Sequence, residues 1–157
     1  MALSKLQNLY RQVILDHSSH PRNHGNLENS NYHIELNNPT CGDVLCLELE
    51  IKDDTIHEIA FSGHGCSIST ASASMMTEVV KGRTIEEAMD LAETFSLLVQ
   101  GKDIKNAEKL GDAEILSGVS KFPARIKCAT LSWNALKKAL EKPGPTIAET
   151  GFIKHDE

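Results

Sequence analysis

Near residue 64 the hydrophobic pattern of this chain changes from a period of two to a helical one, and that change limits the fold more than any other feature. From Asp43 to Ile51 the alternation is strict, with Leu45, Leu47, Leu49 and Ile51 on one side and Val44, Cys46, Glu48 and Glu50 on the other. A period of two is the pattern of a half-buried strand. Thr55 to Ser62 reads as a weaker strand with Ile59 and Phe61 inward, joined to the first by a tight turn at Asp53-Asp54. Tyr32 to Leu36 is a short strand, broken by Asn37-Asn38-Pro39. Three short strands with one wet face predict a small antiparallel sheet. Gly63-His64-Gly65 ends the sheet.

Beyond that turn the spacing is helical. Ile68 to Lys81 is dense in Ala, Ser and Met and stops at Gly82. Thr84-Ile85-Glu86-Glu87 has the form of a capping box and opens a helix to about Gln100, ended by Gly101. A short helix is predicted over Asp103–Leu110, stopped by Gly111, with Asp112 capping another over Ala113–Val119. Pro123 suits the first turn of a last helix to Leu140, whose buried stripe is Ile126, Ala129, Trp133, Leu136 and Leu140. Ahead of the strands, Leu6, Leu9, Tyr10, Val13 and Ile14 mark one face of a helix over about residues 3–17, followed by a loop to Asn31. Strands followed by helices define an α+β domain with the helices packed on one face of the sheet. The 157 residues suit one such domain, residues 1–141, with a loose polar tail over 142–157.

Charge and hydropathy remove several functional classes. Sixteen Lys and Arg against 22 Asp and Glu give a formal charge of −6, which works against phosphate binding and sets nucleic acid aside as a partner. No apolar run is long enough for a membrane span and the N-terminus has no signal-peptide pattern, so the expected location is the cytoplasm. Cysteines stay reduced there, which makes Cys41, Cys46, Cys66 and Cys128 metal ligands, nucleophiles or core residues rather than a disulfide framework.

Three of the four lie at the ends of predicted elements. Cys41 and Asp43 are two residues apart in an extended segment and emerge on the same side, with Gly42 between them. Cys66 precedes the Ile68–Lys81 helix, and Cys128 falls in the first two turns of the last helix after Arg125 and Lys127. A helix N-terminus stabilises a thiolate. Three thiolates and the Asp43 carboxylate complete a tetrahedral metal site. Cys46 is on the opposite strand face and is a bystander. His17, His20 and His24 lack a fixed ligand geometry, His64 reads as a surface turn residue, and Met75-Met76 reads as core.

The run Asn38-Pro39-Thr40-Cys41-Gly42-Asp43, the Gly65-Cys66 pair before an Ala/Ser-rich helix, and Cys128 at the start of a long last helix resemble the IscU/NifU N-terminal family of iron–sulfur cluster assembly scaffolds. Asp16-His17 and the residues up to Gly25 are similar to the same family, and the resemblance spans about residues 3–141. IscU-type members carry a histidine immediately before the third cysteine, where this chain has Lys127. Their Leu-Pro-Pro-Val-Lys chaperone motif falls at Phe122–Lys127, and an extra helical piece stands around Gly101–Leu116. These departures resemble the SufU branch.

That resemblance implies a zinc-bound protein that accepts persulfide sulfur from a PLP-dependent cysteine desulfurase of the SufS type. It would then serve downstream iron–sulfur assembly or acceptor proteins, as a scaffold or sulfur carrier rather than a turnover enzyme. The implied ligands are Cys41, Asp43, Cys66 and Cys128, with zinc as the resting metal. A transient Fe–S cluster would be held by Cys41, Cys66 and Cys128. Cys41 is the expected sulfur acceptor and Cys128 the second choice. Two other classes compete. One is a structural zinc module, against which Asp43 is an uncommon ligand. The other is a cysteine-nucleophile enzyme, for which no base and oxyanion motif is visible.

Overall fold

The computed structural model describes residues 2–38 and 42–141, with side chains from residue 8 onward; Pro39, Thr40, Cys41 and the predicted tail lie outside the described residues. Helix α1 (Ala2–Ser19) is followed by strands β1 (Tyr32–Asn38), β2 (Asp43–Lys52) and β3 (Thr55–His64), then helices α2 (Ser67–Val80), α3 (Ile85–Val99) and α4 (Pro123–Glu141). A 3-10 segment, Ala107–Lys121, separates α3 from α4.

The strands form an antiparallel sheet in the order β1-β2-β3. Register follows the apolar alternation, which aligns Ile34 with Leu47 and Leu47 with Phe61, and likewise Leu49 with Ile59. These residues make one continuous buried face, since slipping a strand by one position would turn its whole apolar set outward. Asp53 and Asp54 both have positive φ, 52° and 60°, the backbone of a tight hairpin turn whose twist matches the strands. The sheet runs further than its predicted limits, through Asn38 on β1 and through Gly63 and His64 on β3. Edge strand β3 is covered by the loop after α1: Gly25 N–H donates to the Phe61 carbonyl at 2.8 Å and Phe61 N–H to the Asn23 carbonyl at 3.0 Å.

Helices α2 and α4 contact the sheet and each other, while α3 packs on α4 and on the 3-10 segment. The α2–α4 seam is fastened by a buried chain in which Trp133 Nε1–H donates to Ser72 Oγ at 3.2 Å and Ser72 donates to the Ala129 carbonyl at 2.6 Å. Trp133 also stacks on Phe95 of α3, with ring centroids 4.5 Å apart. Met75 and Met76 fill the core, both fully buried. The Thr84–Glu87 capping box forms with both of its hydrogen bonds at 3.1 Å.

Three local expectations change. Leu9 is 52% exposed, and the buried face of α1 instead runs through Tyr10, Ile14 and His17. The helix predicted from Asp103 begins at Ala107 and winds as a 3-10 segment, broken at Gly111 with φ 58° and ψ −136°. Asn106 precedes it in a left-handed conformation, so the turn closes later than composition suggests. Ile126 is only half-buried, and the α4 core face is wider than predicted, taking in Cys128, Leu131, Ser132 and Ala135. Among the described residues no helix is long and apolar enough to cross a membrane.

Candidate metal centre

The start of β2, the start of α2 and the second turn of α4 meet at one end of the sheet. Asp43, Cys66 and Cys128 bring their ligand atoms within 4.8 Å of one another there. Each arrives by a different local rule. Asp43 continues the inward face of β2, two residues before Leu45, and is fully buried. Cys66 is the N-cap of α2, with φ −71° and ψ 171°, and its Sγ accepts the Ser69 N–H at 3.4 Å. Cys128 is the sixth residue of α4 and 4% exposed. That places it beyond the first turn, where the helix dipole acts most strongly. Its position is set by the α2–α4 seam rather than by the helix end.

The Asp43 carboxylate divides its work between its two oxygens. Oδ1 accepts the backbone N–H of Cys66 at 2.9 Å and ties β2 to the start of α2. Oδ2 is buried and has no hydrogen-bond partner among the described residues. A buried acceptor left unpaired costs roughly 1–3 kcal/mol, and more if charged. A cation between this oxygen and two sulfurs removes that cost. Two thiols and a carboxylate suit a thiophilic divalent ion in tetrahedral coordination, zinc first among them. The fourth expected ligand, Cys41, lies outside the described residues, just before Gly42, whose N–H donates to the Asn38 carbonyl at 2.8 Å.

The other polar residues fall elsewhere. Cys46 is half-buried on the opposite face of β2, 3.8 Å from Glu35 Oε1. Burial, reinforced by the Glu35 carboxylate, pushes its thiol up from the ordinary value. His64 is exposed. His24 packs edge-on against Phe61 at 5.1 Å. His17 is the residue the sequence reading missed. It is fully buried, with Nε2–H donating to Asp112 Oδ2 at 2.8 Å and Nδ1 2.8 Å from Ser74 Oγ. Ser74 Oγ also accepts the Arg22 N–H at 2.9 Å. The signal for His17 was its spacing, three residues after Ile14 and seven after Tyr10 on the apolar face of α1. Asp112, predicted as a helix cap, spends its carboxylate on this histidine instead.

A small α+β domain that converges two thiols from helix starts and one strand-borne carboxylate at the end of its sheet has a group of side chains able to hold a metal ion. The chain matches the NifU-like N-terminal domain over residues 9–129 and belongs to that family. It is 54% identical over 142 residues to the iron-sulfur cluster assembly scaffold protein IscU of Streptococcus pyogenes serotype M1, covering 90% of this chain and 89% of that one. It is 52% identical over 139 residues to the zinc-dependent sulfurtransferase SufU of Bacillus subtilis (strain 168), covering 88% and 94%. Among solved structures, a SUF-system scaffold protein from Fervidobacterium islandicum AW-1 superposes with a TM-score of 0.78 at 34% identity, covering 82% of this chain and 94% of that one.

Proposed function

We propose that this protein serves iron–sulfur cluster assembly as a zinc-bound sulfur acceptor, taking persulfide sulfur from a cysteine desulfurase of the PLP-dependent SufS type and passing it to downstream assembly proteins. The observation that carries this reading is the buried Asp43 carboxylate close to the sulfurs of Cys66 and Cys128, one of its oxygens having no hydrogen-bond partner among the described residues. The 52% identity to a protein named a zinc-dependent sulfurtransferase supports the choice of zinc over a resident cluster. A carboxylate among thiolates is a hard partner for Fe–S and suits zinc better. The ligands on this reading are Cys41, Asp43, Cys66 and Cys128, and bound zinc would keep the thiols ionised at neutral pH. On this reading residues 1–141 are the working domain, 142–157 a polar tail outside it, and the site of action is the cytoplasm.

The transfer is thiol exchange. The Cys41 thiolate attacks the outer sulfur of the desulfurase persulfide, a new sulfur–sulfur bond forms on Cys41, and the electron pair of the broken bond leaves on the desulfurase cysteine as thiolate. Cys66 and Cys128 are anchored to helices, whereas Cys41 belongs to the connection between β1 and β2. Incubating the protein with its desulfurase and cysteine, then alkylating and weighing it, tests the assignment. A Cys41→Ser chain should fold and remain unlabelled by persulfide. Normal labelling of Cys41→Ser, with loss in Cys128→Ser, would move the acceptor to Cys128. Protein purified with tightly held iron and sulfide in place of about one zinc would overturn the zinc reading.

A further inference from the structure

We propose that Gly65 is a positioning residue for the metal centre, its missing side chain being the slot that the Asp43 carboxylate occupies. This rests on the metal-site reading and adds a residue that touches no metal. A Cβ on Gly65 would stand 2.7 Å from Asp43 Oδ1, 3.1 Å from Asp43 Cγ and 3.0 Å from Ser69 Oγ. Real Cβ atoms do not approach an oxygen to 2.7 Å, so one partner must move. The backbone at Gly65 is not left-handed, so it is a conformation that other residues adopt. The need for glycine here comes from side chains, first the Asp43 carboxylate and then the Ser69 hydroxyl, which can rotate aside. Gly63, two residues earlier, differs: its φ is +115° and a Cβ there would strike the Val44 carbonyl, so the strand itself requires it.

Asp43 has little freedom to yield. Its backbone is paired in register with Asn38, and its Oδ1 is held by the Cys66 N–H at 2.9 Å. A methyl group in the slot displaces Oδ1, breaks that hydrogen bond, and turns the carboxylate out of its place beside the two sulfurs. Gly65 thereby decides whether the site has an oxygen ligand.

Cobalt(II) tests this, because its absorption bands in the visible report the donor set and its near-ultraviolet bands report thiolate bonds. Metal-stripped wild-type, Gly65→Ala, Asp43→Ala and the double variant are each titrated with Co²⁺. Gly65→Ala should bind Co²⁺ roughly tenfold or more weakly, the size of effect seen when a residue supporting a ligand is lost. Its visible bands should move to those of Asp43→Ala while the thiolate bands persist. The double variant should bind no worse than Asp43→Ala, since without the carboxylate the methyl meets only the Ser69 hydroxyl, which turns to another rotamer without touching a ligand. If Gly65→Ala fails to fold, the double variant must fold, for the same reason. Wild-type affinity and spectrum in Gly65→Ala, or additive loss in the double variant, would overturn the proposal. A wild-type protein that takes up no Co²⁺ would instead overturn the metal-site reading.

Discussion

Helix α2 touches two polar clusters, each built around a fully buried side chain, Asp43 in one and His17 in the other. At its N-terminus, Cys66 meets Asp43 and Cys128. Further along, Ser74 meets His17, which reaches on to Asp112. Each cluster joins three distant parts of the chain, and each contains groups able to ligate a metal, since His17, Glu78 and Asp112 also lie within 4.8 Å of one another. They differ in how completely the protein satisfies them. Both ring nitrogens of His17 have protein partners at 2.8 Å. At the other cluster Asp43 Oδ2 has none among the described residues. The first is a fastening that holds the 3-10 segment to α1 and α2. The second leaves one carboxylate oxygen unpaired among the described residues. Ligand-type residues brought close together do not by themselves mark a site; an unpaired buried oxygen among them is the added feature on which the proposed metal site rests.

The comparison is broken most severely by taking the metal away. A ligand that binds only the folded state at a hundred times its dissociation constant contributes about 2.7 kcal/mol. For a chain of this size, chelation should therefore lower the melting temperature by roughly 5–10 °C. Asp43→Asn should shrink that drop, since the amide neither ligates as well nor leaves a buried charge when the metal departs. An unchanged melting temperature after verified removal of the metal would put the Asp43 cluster in the same class as the His17 cluster. Scanning calorimetry with and without chelator decides it.

A change at the other cluster should have the opposite signature. His17→Ala removes a fully buried ring and two hydrogen bonds, and should cost about 2–4 kcal/mol of folding stability in urea titrations. Asp112 is returned to water, because its side chain is 58% exposed, and Ser74 keeps the Arg22 N–H. Metal stoichiometry by elemental analysis should stay at the wild-type value. Loss of metal in a folded His17→Ala protein would show that the two clusters are coupled.

The smallest effect is expected at Cys46, the one cysteine among the described residues that lies outside both clusters. Cys46→Ala should change stability by less than about 1 kcal/mol and leave metal content unaltered. Because burial and Glu35 raise its thiol above the ordinary value, its thiolate fraction at any pH is reduced. The thiolate is the species that reacts. In metal-free protein Cys46 should therefore be alkylated more slowly than exposed Cys66, with a rate that climbs only at more alkaline pH. Mass spectrometry of partly alkylated protein across a pH series provides the ranking. Faster labelling at Cys46 would contradict the burial argument.

Much of this molecule is a local matter and was therefore written in the chain. The period-two alternation at Leu45–Ile51 dictated which strand face is buried, and with it that Asp43 points inward. Thr84 and Glu87 dictated a helix start through a capping box that needs only neighbours. The tight turn at Asp53-Asp54 and the placing of Cys66 just ahead of a helix were equally legible, because turns and caps are made within a few residues. What the chain could not disclose depends on partners far away in sequence. His17 looks like one more loop-side histidine until Ser74 and Asp112, 57 and 95 residues away, close on its ring. Asp112 looks like a helix cap until that histidine claims it. The 3-10 winding of 107–121 follows from packing on α2, α3 and α4, with little intrinsic preference to announce it. Gly65 reads as an ordinary turn glycine, and only the folded chain shows a carboxylate from β2 occupying the space where its side chain would be.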